Sequence, residues 1–165
     1  MYIKSNSDTR STPRILVLGI YNNEEYGLLI VENIHGQLQL PGGRIMHPDG
    51  PEPAEKQIQR EVLRLQQLVF EKTGLCLDVN AKGLLGTFTY EHTTIKVYLL
   101  TQNSTPLNFG WKRNPRFKAY YIDDDPGSVS MLQKLSAKDR YIITYILGNN
   151  PDLLLQPCHE VKTIA

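Results

Sequence analysis

One stretch of this chain, Leu38 to Leu75, constrains the fold more than any other. Leu38-Gln39-Leu40 alternates apolar and polar residues and reads as a strand end. Pro41-Gly42-Gly43-Arg44 follows, and the paired glycines permit a tight reversal that a residue with a Cβ resists. Pro53 suits the first turn of a helix, where its missing N–H is not needed. Beyond it, Ala54, Ile58, Val62, Leu65 and Val69 recur every three or four residues and predict one apolar stripe on a long helix. Gly74, after Thr73, supplies the stop.

The flanking segments read as strands. Arg14–Tyr21 and Tyr26–Glu32 are rich in aliphatic and β-branched residues, with Asn22-Asn23-Glu24-Glu25 as the loop between them. After the helix, Leu75–Val79 and Gly83–Tyr90 are predicted as two strands. A turn at Glu91-His92-Thr93 leads into Thr94–Leu100, which becomes wholly apolar, as a central strand does. Phe117–Ile122 is the last strand, stopped by Asp123-Asp124-Asp125-Pro126-Gly127. Ser128 begins a short helix to Leu135, and Ser136 a second with Tyr141, Ile142, Tyr145 and Ile146 on its inner face. The 165 residues suit one domain, 1–165, with a flexible arm at 1–13 and a tail at 151–165. A net charge of +1 gives no general pull toward nucleic acid or membrane. Cys76 and Cys158 make no disulfide framework, and Cys76 reads as a buried apolar thiol. The chain has neither a transmembrane-length apolar run nor a signal-like N-terminus, so the expected setting is cytoplasmic.

Pro41-Gly42-Gly43, Arg60-Glu61-Val62 and Glu71-Lys72-Thr73-Gly74-Leu75 together resemble the Nudix box, G-x5-E-x7-R-E-U-x-E-E-x-G-U with U a bulky aliphatic residue. Glu52 lies the required distance before Arg60, and Lys72 stands where the family has its second glutamate. The spacing departs from the pattern twice. Asp49, rather than Glu52, is six residues after Gly43, and residues 63–70 occupy the place of a single family residue. The resemblance implies a Nudix-like α/β/α sandwich with a mixed sheet. It also implies hydrolysis of the diphosphate linkage of a nucleoside diphosphate derivative, with Mg²⁺ or Mn²⁺ as cofactor and a small-molecule nucleotide as partner.

On that resemblance Arg60 and Glu61 carry catalysis, Gly42, Gly43 and Arg44 contact substrate, and Glu61, Glu71 and Glu52 are the metal ligands. Carboxylates suit such hard ions, and the metal would lower the pKa of the attacking water. Glu61 and Glu71 are ten residues apart, which is about 15 Å along an unbroken helix. They share an ion only if residues 63–70 bulge, and no Gly or Pro is there to break the helix. Aligned from Gly74 backwards, the box puts Gln67 and Leu68 at the Arg-Glu pair. Two functions therefore stand side by side, a metal-dependent hydrolase and a non-hydrolytic nucleotide-binding sensor or scaffold.

Other polar residues have simpler expectations. Asp49, Glu52, Glu55 and Glu91 are further candidate loop or first-turn ligands, although Glu52 and Glu55 also suit a helix N-terminus. His35 and His92 sit in turns, and His47 lies in the loop of the box. Trp111 with Lys112, Arg113 and Arg116 could stack on a base and pair with phosphate, but reads more simply as a satisfied surface loop. On a continuous helix, Arg60, Glu61 and Arg64 are expected to pair among themselves.

Overall fold

The structure is a computed structural model that describes residues 14–23, 25–46, 51–102, 110–122 and 133–149. The arm 1–13, the tail 151–165, His47, Asp49, Asp123-Asp124-Asp125, Cys158 and residues 128–132 of the helix expected from Ser128 lie outside the described residues; the last residues of that helix, 133–135, are a turn and a bridge from Leu135 to Leu38.

The elements run β1 (Arg14–Ile20), β2 (Asn22–Asn23), β3 (Gly27–Glu32), β4 (Leu38–Gln39), β5 (Gly42–Ile45), α1 (Ala54–Thr73), β6 (Leu77–Tyr90), β7 (Thr93–Gln102), β8 (Lys118–Ile122) and α2 (Ala137–Asn149). One sheet has the order β5-β1-β7-β6. It is mixed, because β1 pairs with β7 in parallel and with β5 antiparallel. In the second sheet β3 pairs antiparallel with β2, β4 and β8.

The strands carry apolar residues on both faces because both faces are covered. On β1, Leu18 and Ile20 pack with Ile142, Ile143 and Ile146 of α2, while Ile15 and Val17 pack with Leu65, Leu68 and Val69 of α1. β3 divides in the same way, Leu28 and Ile30 toward α2 and Leu29 toward α1. Strands buried on both sides read as unbroken hydrophobic runs, and the result is the expected mixed α/β/α sandwich.

Several local features depart from the sequence reading. Residues 77–90 form one strand rather than two. Asn80 Oδ1 accepts from the Lys82 N–H at 2.8 Å, which gives a local turn signal. The pairing with β7 nevertheless continues through register shifts between Val79 and Leu84 and between Leu84 and Gly86. The inner face of α1 is Glu61, Leu65, Leu68 and Val69, with Val62 packed against it; Leu65 and Val69 are as expected, Glu61 and Leu68 join them, and Ala54 is exposed. On α2, Ile143 is buried, whereas Tyr141 and Tyr145 are exposed. Cys76 is half-buried rather than buried. The β6–β7 hairpin turns through Glu91 and His92, both at positive φ (47° and 65°), as a two-residue primed turn requires.

The glycine turn is fixed by contact. Gly42 has φ +144°, and a Cβ there would lie 2.0 Å from the Val17 carbonyl oxygen. Its neighbours lock onto β1, Leu18 opposite Gly42 and the Gly19 N–H on the Pro41 carbonyl at 2.9 Å. Gly74 caps α1 in the left-handed conformation (φ 80°), donating to the Phe70 carbonyl at 2.8 Å.

Candidate functional site

α1 is one unbroken helix of 20 residues, so its geometry decides which carboxylates meet. Glu61 and Glu71 stay about 15 Å apart along the axis. Residues 63–70, with no Gly or Pro among them, continue the helix without the bulge that a shared ion would need.

Glu61 is fully buried and faces the sheet. Its Oε1 accepts from the Tyr98 hydroxyl at 2.7 Å. Its Oε2 accepts from the Lys96 ammonium at 2.8 Å and from Gln57 Nε2, one turn earlier, at 3.2 Å. Lys96 and Tyr98 are two residues apart on β7 and so point to the same face. Burial, then the hydrogen bond and the negative charge of Glu61, push the Tyr98 phenol well above its ordinary value. The pair Lys96 and Tyr98 was not singled out from sequence. Its one signal there is a lysine two residues from a tyrosine within an otherwise apolar central strand.

The remaining box acids also have cationic partners. Glu52 pairs with Arg60, and Glu71 lies 3.7 Å from Arg64, which also donates to Gln67 at 3.0 Å. The expected set Arg60–Glu61–Arg64 is therefore replaced by three separate pairings, because Glu61 turns inward while Arg60 reaches back to Glu52 and Arg64 forward to Glu71. Glu55 and Glu91 are exposed, Glu91 at the hairpin tip. Arg44 is exposed on β5, opposite Leu16.

Divalent metal, which the fold family implies, does not fit these side chains as arranged. Both Glu61 oxygens are engaged, one of them by an ammonium ion. Among the described residues, no three of His, Cys, Asp and Glu come together to hold an ion.

The group that does reach the glycine turn is Lys72. Its ammonium donates to the Gly42 carbonyl at 2.5 Å and lies 4.8 Å from the centre of the Phe117 ring. A Cβ on Gly43 would fall 3.2 Å from Leu68 and 3.5 Å from the same ammonium. Burial lowers the Lys72 pKa, with Glu71 opposing that shift and Arg64 adding to it. Arg113 closes the end of α1 from the segment just before β8, donating to the carbonyls of Glu71 (3.2 Å) and Phe117 (2.8 Å) and to that of Asn114. The Asn114 N–H donates to the Glu71 carbonyl at 2.7 Å, and Trp111 lies 6.3 Å from Phe70. Trp111 and Arg113 thus belong to a helix-end structure, in line with the simpler reading of that cluster.

On the opposite face, Asp139 ties α2 to the base of the turn. The Asp139 N–H donates to Ser136 Oγ at 3.1 Å, a helix cap, while its carboxylate accepts from the Leu40 N–H at 3.0 Å. Burial raises the Asp139 pKa, opposed by the Leu40 N–H and by Lys138.

A mixed sheet between two helices, with a glycine turn leading into the long helix, is the Nudix arrangement. Solved structures bear this out. A protein of Chromobacterium violaceum provisionally assigned to the Nudix hydrolase family matches with a TM-score of 0.56 at 17% identity, covering 93% of this chain and 96% of its own. A Nudix hydrolase of Nitrosomonas europaea matches with a TM-score of 0.52 at 15% identity, covering 89% and 94%. The mutator MutT protein of Bacillus halodurans matches with a TM-score of 0.50 at 17% identity, covering 81% and 82%. At these identities the likeness is one of fold, and this chain has the Nudix fold. No protein-family model matches the sequence, and no curated protein matches it. Among the described residues, no helix is long and apolar enough to cross a membrane.

Proposed function

We propose that this chain is a non-hydrolytic Nudix-fold module that binds a nucleotide-type small molecule without divalent metal. The observation that carries the proposal is the fully buried Glu61 carboxylate, held by Lys96, Tyr98 and Gln57. An acid that must coordinate Mg²⁺ or Mn²⁺ needs an oxygen open to the ion. This one has an ammonium already in place, so an ion could reach it only by displacing Lys96. The residue in place of the second box glutamate is itself a cation, Lys72.

The second reading is the metal-dependent hydrolase of nucleoside diphosphate derivatives, with Glu61, Glu71 and Glu52 as ligands and Arg60 beside them. In its favour, Glu52 Oε1 and Glu71 Oε2 are buried with no hydrogen-bond partner. Calorimetric titration of nucleoside di- and triphosphates and sugar nucleotides, in EDTA and again in Mg²⁺ or Mn²⁺, separates the two readings when run beside a phosphate-release assay. Binding in EDTA with no turnover in either metal is expected. Metal-dependent phosphate release that Glu71→Gln abolishes in a folded protein would establish the hydrolase instead.

A further inference from the structure

A lysine in the last turn of a helix ordinarily extends into water or toward the carbonyl end of its own helix. Lys72 does neither. It crosses to the turn before β5, where its ammonium meets a backbone carbonyl and an aromatic face. Among the described residues no carboxylate lies within 4 Å of it, because its neighbour Glu71 is turned to Arg64. An ammonium has three donors, and the Gly42 carbonyl takes one of them.

Lys72 lines a cleft of about 410 Å³ together with Gln39, His35, Asn114, Arg116 and Phe117. Among the described residues no aspartate or glutamate lines the cleft, which contains a lysine and an arginine. Arg116 is exposed, and its backbone N–H is held by Asn114 Oδ1 at 3.0 Å, which fixes where its guanidinium starts. Among the described residues Arg116 has no ion-pair partner. A forked guanidinium and a point-charge ammonium on one cleft suit an oxyanion with several acceptor oxygens. The volume is of the order that holds a small organic ligand.

We propose that Lys72 is a built-in cation at the glycine turn, and that the cleft it shares with Arg116 and Asn114 binds the phosphate or diphosphate group of a small molecule with no metal ion. This rests on the non-hydrolytic reading above and adds to it the place and the chemistry of binding. The resemblance puts a metal-binding glutamate at position 72; the chain puts positive charge there directly. The Gly42 carbonyl, the nearest acceptor, is satisfied by that charge, so the phosphate is met by Lys72 and Arg116.

The test uses the full chain and inorganic pyrophosphate as probe, titrated calorimetrically in EDTA and again in excess Mg²⁺. Expected is one-site binding in EDTA that Mg²⁺ does not strengthen, and that weakens at least tenfold in Lys72→Met and in Arg116→Ala. Thermal melts accompany both variants. Arg116 is exposed, so Arg116→Ala reports on binding even if Lys72→Met disturbs the turn. Absence of binding in EDTA, binding that requires Mg²⁺, or binding that survives both substitutions overturns the proposal. Metal-dependent turnover of a nucleotide, with pyrophosphate binding in EDTA still dependent on Arg116 and Lys72, would defeat the non-hydrolytic reading alone and leave this cleft standing.

Discussion

Glu61→Gln distinguishes a structural carboxylate from a catalytic one. In the hydrolase reading this substitution keeps shape, removes charge and leaves stability alone while abolishing turnover. The structure demands the opposite. The substituted amide would offer one acceptor oxygen and an NH2 group to a site holding the Lys96 ammonium, the Tyr98 hydroxyl and the Gln57 amide, all now donating to the carboxylate. One donor is left facing another donor, and a lysine whose side chain is only 21% exposed loses its counter-ion. Breaking a buried ion pair from one side costs roughly 3–5 kcal/mol. The partial exposure of Lys96 puts this case at the low end, about 3 kcal/mol. For a chain of this size each kcal/mol lowers the melting temperature by about 2–4 °C, so the fall is roughly 6–12 °C. Chemical denaturation and calorimetry measure it directly. The double substitution with Lys96→Met is the control. Once Glu61 is neutral, removing the lysine relieves a buried charge, so the second change costs less than it does in the wild type. A Glu61→Gln protein that melts within about 2 °C of wild type, a shift too small for a broken buried pair, would refute the structural assignment of this carboxylate.

Gly42→Ala places a Cβ against the Val17 carbonyl at a positive φ, so β5 and β1 must separate; the expected loss is about 4 kcal/mol or more, or failure to fold, judged by soluble yield and denaturant midpoint. Asp139 has a folded pKa raised by burial above its ordinary 3.8, so the folded chain binds its proton more tightly than the unfolded one. Its contribution to stability therefore declines as pH rises from about 4 through the raised value, and Asp139→Asn is expected to flatten the urea midpoint over that window; an unchanged slope would count against the burial argument. Tyr98, its pKa raised well above the ordinary 10.0, holds its proton more tightly when folded. The stabilisation present below that range is lost as pH rises past it, and Tyr98→Phe is expected to blunt the alkaline unfolding seen by circular dichroism, at a cost at neutral pH from the donor removed from Glu61.

The chain by itself determined the order of the elements and the layers they form. Runs such as Ile15–Ile20 and Leu28–Val31 are almost wholly apolar because both faces of each strand are buried, and a helix-length stretch between Pro53 and Gly74 can only lie across them. Gly42 and Gly74 were legible as positions needing backbone freedom, and the structure supplies the reasons, a carbonyl 2.0 Å from any Cβ and a left-handed cap. What only the tertiary structure decided is the assignment of charge. A helix presents several faces; apolar spacing placed the stripe on Ala54, Ile58, Val62, Leu65 and Val69, and packing buried Leu65 and Val69 but rotated Glu61 inward beside them and left Ala54 exposed. That rotation was not visible along the helix, because the groups that neutralise Glu61 are on a strand 35 and 37 residues away. Lys72 shows the converse. Local sequence offered a cation in a last turn, where its own helix carbonyls are the ordinary partners; the fold brought Gly42, 30 residues earlier, within hydrogen-bond distance instead. Ion pairs and hydrogen bonds are short-range in space and blind to chain separation, so the motif could indicate where carboxylates belong in a family, and only the packed chain could show which of them had been given a cation.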